Sequence, residues 1–324
     1  MRVTVLGVGA VGGWLAAGLA RSGCEVRLFA RGATLAALQA DGLVFAEGGS
    51  TESFRLPVSG DPAALRGADI LLLGMKGHDV PGARETIAAL ADDGTRIVPA
   101  LNGIPWWFTQ GLGGAADGAT LESVDPGGAL ARAFPARHVI GCVAHVGTKV
   151  EAPGRIRLMK ADRLLLGDPS GQAGDMPKAL AELFQAGGVP ARIVPDIRAE
   201  VWSKLWGNMS MNPLSALARA DMLQMMDDPG THGLMVMLMR EMGEIGDRIG
   251  LPLTADIPDR IAVARRLGAF RTSMLQDLEA GRRLELAPIT GALVELADRL
   301  GMPVPVTRGI HGLTSLLAGN LGLR

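Results

Sequence analysis

The chain has 324 residues, of which 48 % are hydrophobic and 20 % are charged. This length exceeds what one hydrophobic core usually supports, so two domains are expected, and the composition excludes a largely disordered or fibrous protein. The 32 basic and 33 acidic residues give a formal net charge of −1, which excludes an overall positive field that would attract nucleic acid or an anionic membrane.

The cysteines and the N-terminus indicate the cellular compartment. Cys24 and Cys142 lie far apart in apolar segments, so we expect two reduced thiols and no disulfide framework. The apolar N-terminal stretch resembles a secretion signal, but Gly7, Gly9 and Gly12 interrupt it at the spacing of a strand followed by a helix. No other run of about 18 apolar residues occurs, so the sequence predicts a cytoplasmic protein with no membrane partner.

The first half of the chain alternates short β-rich runs with helical patterns, as βαβ units around a parallel sheet do. Brief aliphatic runs predict buried strands at residues 3–6, 25–29, 69–74, 96–100 and 138–145. Apolar residues at helical spacing predict crossover helices at 13–21, 33–40 and 80–90. The domain is completed by predicted strands at 155–159, 163–166 and 191–194 and by a helix at 176–184.

After Pro195 strand patterns disappear and helical patterns continue to the C-terminus. The predicted fold class is α/β: a Rossmann-type, doubly wound, mostly parallel sheet in residues 1–195, then an all-helical substrate domain in residues 196–324. The predicted helices cover 197–211, 213–217, 231–249, 257–266, 269–278, 287–300 and 307–317. A run of methionines is more typical of adaptable core packing than of a cofactor site, although these helices could also form the face of a homodimer; it comprises Met235, Met237, Met239 and Met242.

A G-x-G-x-x-G motif follows the first predicted strand and opens the first predicted helix, as Gly7-Val8-Gly9-Ala10-Val11-Gly12. Gly7 permits the tight turn, Gly9 lets the backbone approach a pyrophosphate, and Gly12 allows close packing of helix on strand. The helix N-terminus offers N–H donors to the anion. A glycine-rich turn without a ligand is the alternative, but this context predicts a dinucleotide site.

Later strand ends carry further candidate cofactor residues. Arg31 lies 19 positions after Gly12, where the ribose is bound, and its guanidinium suits a 2′-phosphate, so NADPH is predicted rather than NADH. Arg31 could also be an ordinary surface arginine. Lys76 could reach ribose or phosphate oxygens, and Asn102 could bond the nicotinamide end, although Asn102-Gly103 is also a good turn.

The first helix of the second domain carries Lys204, Asn208 and Asn212 four positions apart, which places them on one face. This polar strip suggests a cleft, although Asn212 before Pro213 could also be a helix N-cap. Further on, Ser273 and Glu285 are twelve positions apart, and taken separately they are more often a cap and a solvated carboxylate at a helix start.

Taken together, these residues resemble the ketopantoate reductase (2-dehydropantoate 2-reductase) family over both domains. The resemblance implies NADPH-dependent reduction of a small 2-oxo acid, with Lys204 as catalytic lysine and Glu285 as its acidic partner. It also implies that Asn208, Asn212 and Ser273 bind substrate, and that Asn102 and Lys76 serve the cofactor and the reacting centre. The chemistry agrees, because hydride addition to a ketone creates alkoxide character that a lysine can protonate or stabilise.

The resemblance weakens around the substrate. The family commonly has an aspartate two positions after the glutamate, whereas this chain has Ala287 there. Trp106-Trp107 and the glycine-rich stretch that follows them could form a lid or a reshaped pocket wall, although the two tryptophans could simply pack at a domain interface. A different 2-oxo acid, the reverse 2-hydroxy acid dehydrogenase reaction and a non-catalytic NADPH-binding protein remain alternatives. A metal-dependent hydrolase lacks support, because the five histidines show no paired ligand spacing.

Overall fold

A computed structural model describes residues 1–172 and 174–323, so Ala173 and Arg324, which fall within the two predicted domains, lie outside the described residues. By internal contacts the chain divides into two compact units. The first contains residues 1–101 and 129–197, and the second contains residues 102–128 and 198–324. The division at 195/196 stays a prediction of domain organisation; the observed units differ from it chiefly in residues 102–128.

The first unit is built on a five-stranded parallel sheet with a Rossmann-type strand order. Along the sheet the order is β5-β2-β1-β6-β7. Its strands are β1 (Arg2–Leu6), β2 (Glu25–Phe29), β5 (Val58–Ser59), β6 (Ile70–Leu73) and β7 (Arg96–Pro99). The chain places β2 on one side of β1 and β6 on the other, so the strand order reverses beside β1, and ligands of such sheets bind outside the carboxyl ends at this point.

A second, mixed sheet completes the first unit. Its strands are β3 (Leu43–Glu47), β4 (Ser50–Phe54), β8 (Gly141–Ala152), β9 (Arg155–Gly167) and β10 (Ala191–Ile193). The long strand β9 pairs in parallel with β3 and β10 and antiparallel with β8. Helix α1 (Ala10–Arg21) contacts strands of both sheets and buries most of its length, so it forms the centre of this unit's core. The remaining helices of the unit are α2 (Gly32–Asp41), α3 (Arg84–Leu90), α4 (Ala129–Ala133) and α5 (Asp175–Ala186).

The second unit is helical apart from its connecting segments. Its helices are α6 (Ile197–Ala218), α7 (Met222–Asp227), α8 (Pro229–Arg248), α9 (Ile257–Arg265), α10 (Ser273–Glu279), α11 (Ala292–Leu300) and α12 (Pro305–Asn320). A five-residue π-helix, Ala287–Gly291, precedes α11. Three of the four methionines predicted to fill the core do so, since Met235, Met239 and Met242 are fully buried, whereas Met237 is exposed.

Residues 102–128 belong to the helical unit because they are bonded to its helices. The buried guanidinium of Arg198, at the start of α6, donates from Nε to the Phe108 carbonyl over 2.9 Å and from Nη2 to the Gln110 carbonyl. The carboxylate of Glu295 on α11 accepts the Ser123 amide at 3.0 Å and the Ser123 hydroxyl at 2.9 Å. The segment that follows β7 therefore leaves the sheet and folds with the helices.

The predicted fold class is confirmed: a parallel α/β sheet comes first and a helical region follows. Strands β3 and β4 were not predicted from the sequence. They form an antiparallel hairpin around Gly48 and Gly49, whose φ values of +55° and +89° suit the tight turn that joins two strands. The strands predicted at 155–159 and 163–166 are one continuous strand, β9.

Candidate active site

The turn from β1 into α1 is shaped by Gly7 in the loop and by Gly12 in the first turn of the helix. Gly7 has φ +94°, and a Cβ there would lie 2.7 Å from the Met75 amide nitrogen. At Gly12 a Cβ would collide with the Gly7 carbonyl oxygen and lie 3.1 Å from Gly74 Cα. Both positions therefore need glycine for reasons internal to the protein: the loop is pressed against the end of the neighbouring strand β6.

Gly9 differs, because a Cβ there would meet only the Gly74 carbonyl oxygen, at 3.8 Å. Its φ of −89° is accessible to any residue, so neither packing nor backbone strain requires glycine at this position. A close approach by a bound group would require it. Gly9 is also the N-cap of α1, where the first amide groups of the helix point outward and favour an anion. The loop is therefore suited to the pyrophosphate of a dinucleotide.

Arg31 lies directly after β2, as the N-cap residue of α2, and its side chain is exposed. Its Nη2 donates to Thr86 Oγ1 over 3.1 Å, and its Cζ lies 5.1 Å from the centre of the Phe29 ring. These two contacts hold the guanidinium at the carboxyl end of β2. A guanidinium at the end of the second strand suits a ribose 2′-phosphate, so this role of Arg31 stays a prediction.

Lys76 follows β6 in the first unit, whereas Asn102 follows β7 and belongs to the second unit. Lys76 is half-buried and is the N-cap residue of a short 3-10 turn, Gly77–Asp79. Both residues lie just beyond the carboxyl ends of strands in the parallel sheet, as the sequence predicted, although only Lys76 remains with that sheet's unit.

The polar strip lies on α6. Lys204 and Asn208 are half-buried, and Asn212 is 6 % exposed. Their spacing of four residues places all three along one face of the helix. The rotation of the helix is fixed by Trp206, whose Nε1 donates to the Met239 carbonyl over 2.9 Å, and by Trp202, whose ring stacks on Phe108 with centroids 6.0 Å apart.

The alternative role of Asn212 as an N-cap is wrong, because α6 runs unbroken from Ile197 to Ala218 with Pro213 inside it. Proline has no amide hydrogen, so the helix loses the bond that residue 213 would donate to the Met209 carbonyl. Tertiary packing compensates: Asn212 and its neighbours are buried. The Asn212 side chain is therefore not needed for capping.

Glu285 is buried, at 3 % exposure, so its interpretation as a solvated carboxylate is wrong. Its Oε2 accepts a hydrogen bond of 3.4 Å from Asn102 Nδ2. The backbones are joined as well, since the Ile104 amide donates to the Pro288 carbonyl over 2.8 Å. Gly103, with φ +82°, lies so close to Pro288 that a Cβ would be 2.5 Å from its carbonyl carbon. The structure thus brings together Asn102 and Glu285, two residues singled out separately in the sequence.

Ser273 is exposed and is the first residue of α10, but it does not cap the helix. The N-cap is Thr272, whose buried hydroxyl accepts the Leu275 amide at 3.2 Å and also bonds to the Ser215 hydroxyl. Ser215 in turn donates to the Asn212 carbonyl over 3.0 Å. This chain of hydroxyl groups fixes the start of α10 beside the turn of α6 that carries Asn212, and it leaves the Ser273 hydroxyl exposed.

Trp106 and Trp107 are both buried within the second unit. The Arg198 guanidinium carbon lies 5.8 Å from the centre of the Trp107 ring, and Trp107 is in contact with Phe108. These tryptophans therefore serve as packing for the segment that joins α6. A substrate role for them is not needed to explain their burial.

Two further observations concern metal binding and membrane insertion. Within residues 1–172 and 174–323 there is no group of three or more histidine, cysteine, aspartate or glutamate side chains arranged to hold a metal ion. Among the helices of that same part of the chain, none is both long enough and apolar enough to cross a membrane.

Comparison with known proteins identifies the family. Residues 3–107 match the family model described as ketopantoate reductase PanE/ApbA, and residues 196–318 match its C-terminal model. The chain belongs to the ketopantoate reductase family. A curated 2-dehydropantoate 2-reductase from Mesorhizobium japonicum (strain LMG 29417 / CECT 9101 / MAFF 303099) is 38 % identical over 323 residues, which is 99 % of each chain.

Solved structures agree with this assignment. A protein from Ralstonia solanacearum MolK2 that is assigned to the ketopantoate reductases superposes with a TM-score of 0.95 at 40 % identity, covering 100 % of this chain and 99 % of its own. A 2-dehydropantoate 2-reductase from Methylococcus capsulatus superposes with a TM-score of 0.85 at 27 % identity, covering 99 % and 98 %. The predicted ketopantoate reductase resemblance is confirmed over the whole chain.

Two side-chain contacts in the second unit were not predicted from the sequence. One is the Thr272–Ser215 pair: Thr272 lies inside the predicted helix 269–278, but it is the N-cap, a position that threonine favours, and the helix begins only at Ser273. The other is Arg260 on α9, whose guanidinium lies against Gly207 of α6. The available signal was a glycine inside an otherwise strong helical pattern, which often marks a close approach.

Proposed function

We propose that this protein reduces a small 2-oxo acid, ketopantoate or a close analogue, to the 2-hydroxy acid with NADPH as the hydride donor. Membership in the ketopantoate reductase family makes the chain an oxidoreductase. The observation that carries the finer proposal is the strip of Lys204, Asn208 and Asn212 on a helix fixed by buried tryptophans. It provides one cation and two carboxamides along one face of the helix.

The cofactor proposal rests on the β1–α1 loop and on Arg31. Residues Gly7, Val8, Gly9, Ala10, Val11 and Gly12 would hold the pyrophosphate, because Gly9 leaves open space in front of a helix N-terminus. Arg31 would pair with the 2′-phosphate, and Lys76 would contact ribose or phosphate oxygens. When bound, NADPH supplies the hydride. Asn102 and Glu285 are further candidates for cofactor contacts.

Lys204 would act at the carbonyl oxygen of the substrate. Addition of hydride to the carbonyl carbon makes the oxygen an alkoxide, which needs a proton or a nearby positive charge. The Lys204 ammonium group can donate the proton from Nζ or stabilise the negative oxygen. Glu285 would be its acidic partner, and the bond from Asn102 would orient the Glu285 carboxylate.

Asn208, Asn212 and Ser273 would bind the rest of the substrate. A carboxamide both donates and accepts hydrogen bonds, so it can hold carbonyl and hydroxyl oxygens, and a serine hydroxyl can donate to a carboxylate. Since Thr272 caps α10, the exposed Ser273 hydroxyl is available for this role. Family membership further suggests a place in pantothenate biosynthesis in the cytoplasm, with the small molecule as partner; a homodimer through the helical unit is compatible with it.

A specific observation favours an analogue of ketopantoate as an alternative substrate. Ala287 stands where the family commonly has an aspartate, and it opens the π-helix Ala287–Gly291 directly after Glu285. Loss of an acid next to the proposed site would alter what the pocket accepts. A different 2-oxo acid, or a 2-hydroxy acid oxidised in the reverse direction, would then be the better substrate.

The test is an assay of NADPH oxidation with ketopantoate and a panel of branched 2-oxo acids, together with NADP reduction by the matching 2-hydroxy acids. Lys204→Ala is expected to lower kcat by about 10²- to 10⁴-fold while the Kd for NADPH stays unchanged. Lys178→Ala, which changes an exposed lysine on α5, is the control and should retain full activity. NADPH binding without turnover of any panel member would instead indicate a non-catalytic binding protein.

A further inference from the structure

Gly207 lies in the interior of α6, three residues after Lys204 and one before Asn208. It is buried, and the guanidinium of Arg260 is packed against it. A Cβ at position 207 would lie 3.0 Å from Arg260 Cζ and still closer to Nη2. The arginine head therefore occupies the volume that any side chain at 207 would fill.

A glycine in the middle of a helix is unfavourable by about 1 kcal/mol relative to alanine. Gly207 does not have positive φ, so the backbone conformation of α6 does not call for glycine. The reason for glycine at this position is instead the Arg260 guanidinium, which occupies the space that a side chain would need. The helix thus accepts a local cost at a position where the Arg260 guanidinium packs one turn from Lys204.

Helix geometry relates this cation to Lys204. Three residues along an α-helix advance about 4.5 Å along the axis and turn to within about 60° of the starting direction. Position 207 is therefore on the same flank of α6 as Lys204, about one turn away. Arg260, on a separate helix, therefore places a second positive group at the flank of α6 that carries Lys204.

The helix that carries Arg260 is well anchored. Ile261 and Ala264 of α9 are buried, and the side chain of Asp256 caps the helix by accepting the Asp259 amide at 2.8 Å. Arg265 at the other end donates to Asp227 over 2.7 Å. The half-buried Arg260 side chain thus starts from a fixed backbone, which limits the positions that its guanidinium can reach.

We propose that Arg260 binds the carboxylate of the 2-oxo acid and thereby selects acids over uncharged carbonyl compounds. This inference rests on the proposed function, in which Lys204 acts at the carbonyl oxygen. In a 2-oxo acid the carboxylate is bonded directly to the carbonyl carbon, so the groups that bind the two must be neighbours. A guanidinium offers two parallel N–H donors that match the two carboxylate oxygens, which a lysine or a serine cannot do.

The first test compares Arg260→Gln and Arg260→Lys with Arg248→Gln, which changes an exposed arginine at the end of α8. Arg260→Gln should lower kcat/KM for the 2-oxo acid by about 10- to 100-fold, mainly through KM, with the Kd for NADPH unchanged. Arg260→Lys should give an intermediate kcat/KM, because lysine keeps the positive charge but lacks the two parallel N–H donors of the guanidinium. Arg248→Gln should match the wild type.

The carboxamide of the same 2-oxo acid gives the decisive readout. If Arg260 recognises the carboxylate, the wild type should prefer the acid and Arg260→Gln should lose most of that preference. An equal fall in kcat/KM for acid and amide would overturn the proposal, because a structural defect affects both substrates alike.

Gly207→Ala provides an independent test that leaves Arg260 in place. The added methyl group must displace the guanidinium, so this variant should also raise KM for the acid more than for the amide. Gly233→Ala on α8 is the matched control, since nothing lies within 4 Å of a Cβ there. Unchanged KM for the acid in Gly207→Ala would contradict the proposal, and this result remains available if Arg260→Gln fails to fold.

Failure of this inference and failure of the proposed function are distinguishable. If Arg260→Gln keeps the wild-type KM and acid preference while Lys204→Ala is inactive, only the role of Arg260 is wrong. If Lys204→Ala retains full turnover, the function proposed for the strip itself is wrong.

Discussion

The side-chain amide of Asn102 donates a hydrogen bond to the Glu285 carboxylate over 3.4 Å, although 183 positions separate the two residues in the chain. The backbone bond from Ile104 to Pro288 and the close approach of Gly103 to Pro288 fix the same two segments against each other. The buried carboxylate of Glu285 is thus held by the segment that follows β7. The sequence predicts that segment to be part of the N-terminal domain, residues 1–195.

Replacing Asn102 should show how much its hydrogen bond to Glu285 contributes to stability. Asn102→Ala removes a donor to a buried carboxylate, so the free energy of unfolding should fall by about 1–2 kcal/mol. Urea denaturation measures the change, and the exposed Asn320→Ala at the end of α12 serves as control. A variant with unchanged stability and unchanged kcat/KM would show that the bond contributes nothing to either.

Two glycines of the G-x-G-x-x-G motif, Gly9 and Gly12, should respond differently to substitution by alanine. Gly12→Ala should destabilise the protein, because the new methyl group collides with the Gly7 carbonyl oxygen. Gly9→Ala should leave the melting temperature unchanged, since only the Gly74 carbonyl oxygen lies near, at 3.8 Å, yet it should weaken NADPH binding by about tenfold or more. Thermal melting and fluorescence titration with NADPH separate the two effects. Normal NADPH affinity in Gly9→Ala would contradict a pyrophosphate at this loop.

The proposed preference for NADPH over NADH should depend on Arg31. Arg31→Ala removes the guanidinium that would pair with the 2′-phosphate, so KM for NADPH should rise by about 10- to 100-fold while KM for NADH stays constant. Thr86→Val removes the present partner of Arg31 and should leave the preference nearly intact. If Arg31→Ala raised KM for NADPH and KM for NADH equally, Arg31 would not be the residue that recognises the 2′-phosphate.

Thr272 and Ser273 are adjacent but should differ in what they affect. Thr272→Ala removes the cap of α10 and the bond to Ser215, so the free energy of unfolding should fall by about 1–2 kcal/mol. Ser273→Ala should leave stability within about 0.5 kcal/mol and instead raise KM for the 2-oxo acid. Chemical denaturation combined with steady-state kinetics checks both. A stability loss confined to Ser273→Ala would reverse these assignments.

His311 should make stability depend on pH. Its burial, and then the charge of Arg308, lower the pKa of the imidazole below 6.5, and its Nδ1 lies 2.7 Å from Thr290 Oγ1. The folded state therefore favours the neutral ring, and the unfolded state binds more protons as the pH falls through 6.5. The stabilisation should be fully present above that pH and decline below it. Urea denaturation between about pH 5 and 8 should show a shallower decline in His311→Gln than in the wild type.

The parts of this protein that depend on local pattern could be predicted from its sequence. The glycine motif, the strand before it and the helix after it follow from neighbouring residues, and so does the spacing of Lys204, Asn208 and Asn212. The continuity of α6 through Pro213 could not be predicted, because packing around Asn212 overrides a local rule about proline. The meeting of Arg260 with Gly207 depends on how α9 packs on α6, which no short stretch of sequence encodes.

The membership of residues 102–128 in the helical unit also determines how the chain can be divided. The polypeptide passes between the two units at three points, near residues 101, 128 and 197. A fragment cut at residue 195 would keep Trp107 and Phe108 but lose Arg198 and Trp202, the side chains that cover them. Such a fragment would expose aromatic side chains to water and tend to self-associate, so the first unit is best obtained by excising residues 102–128 as well.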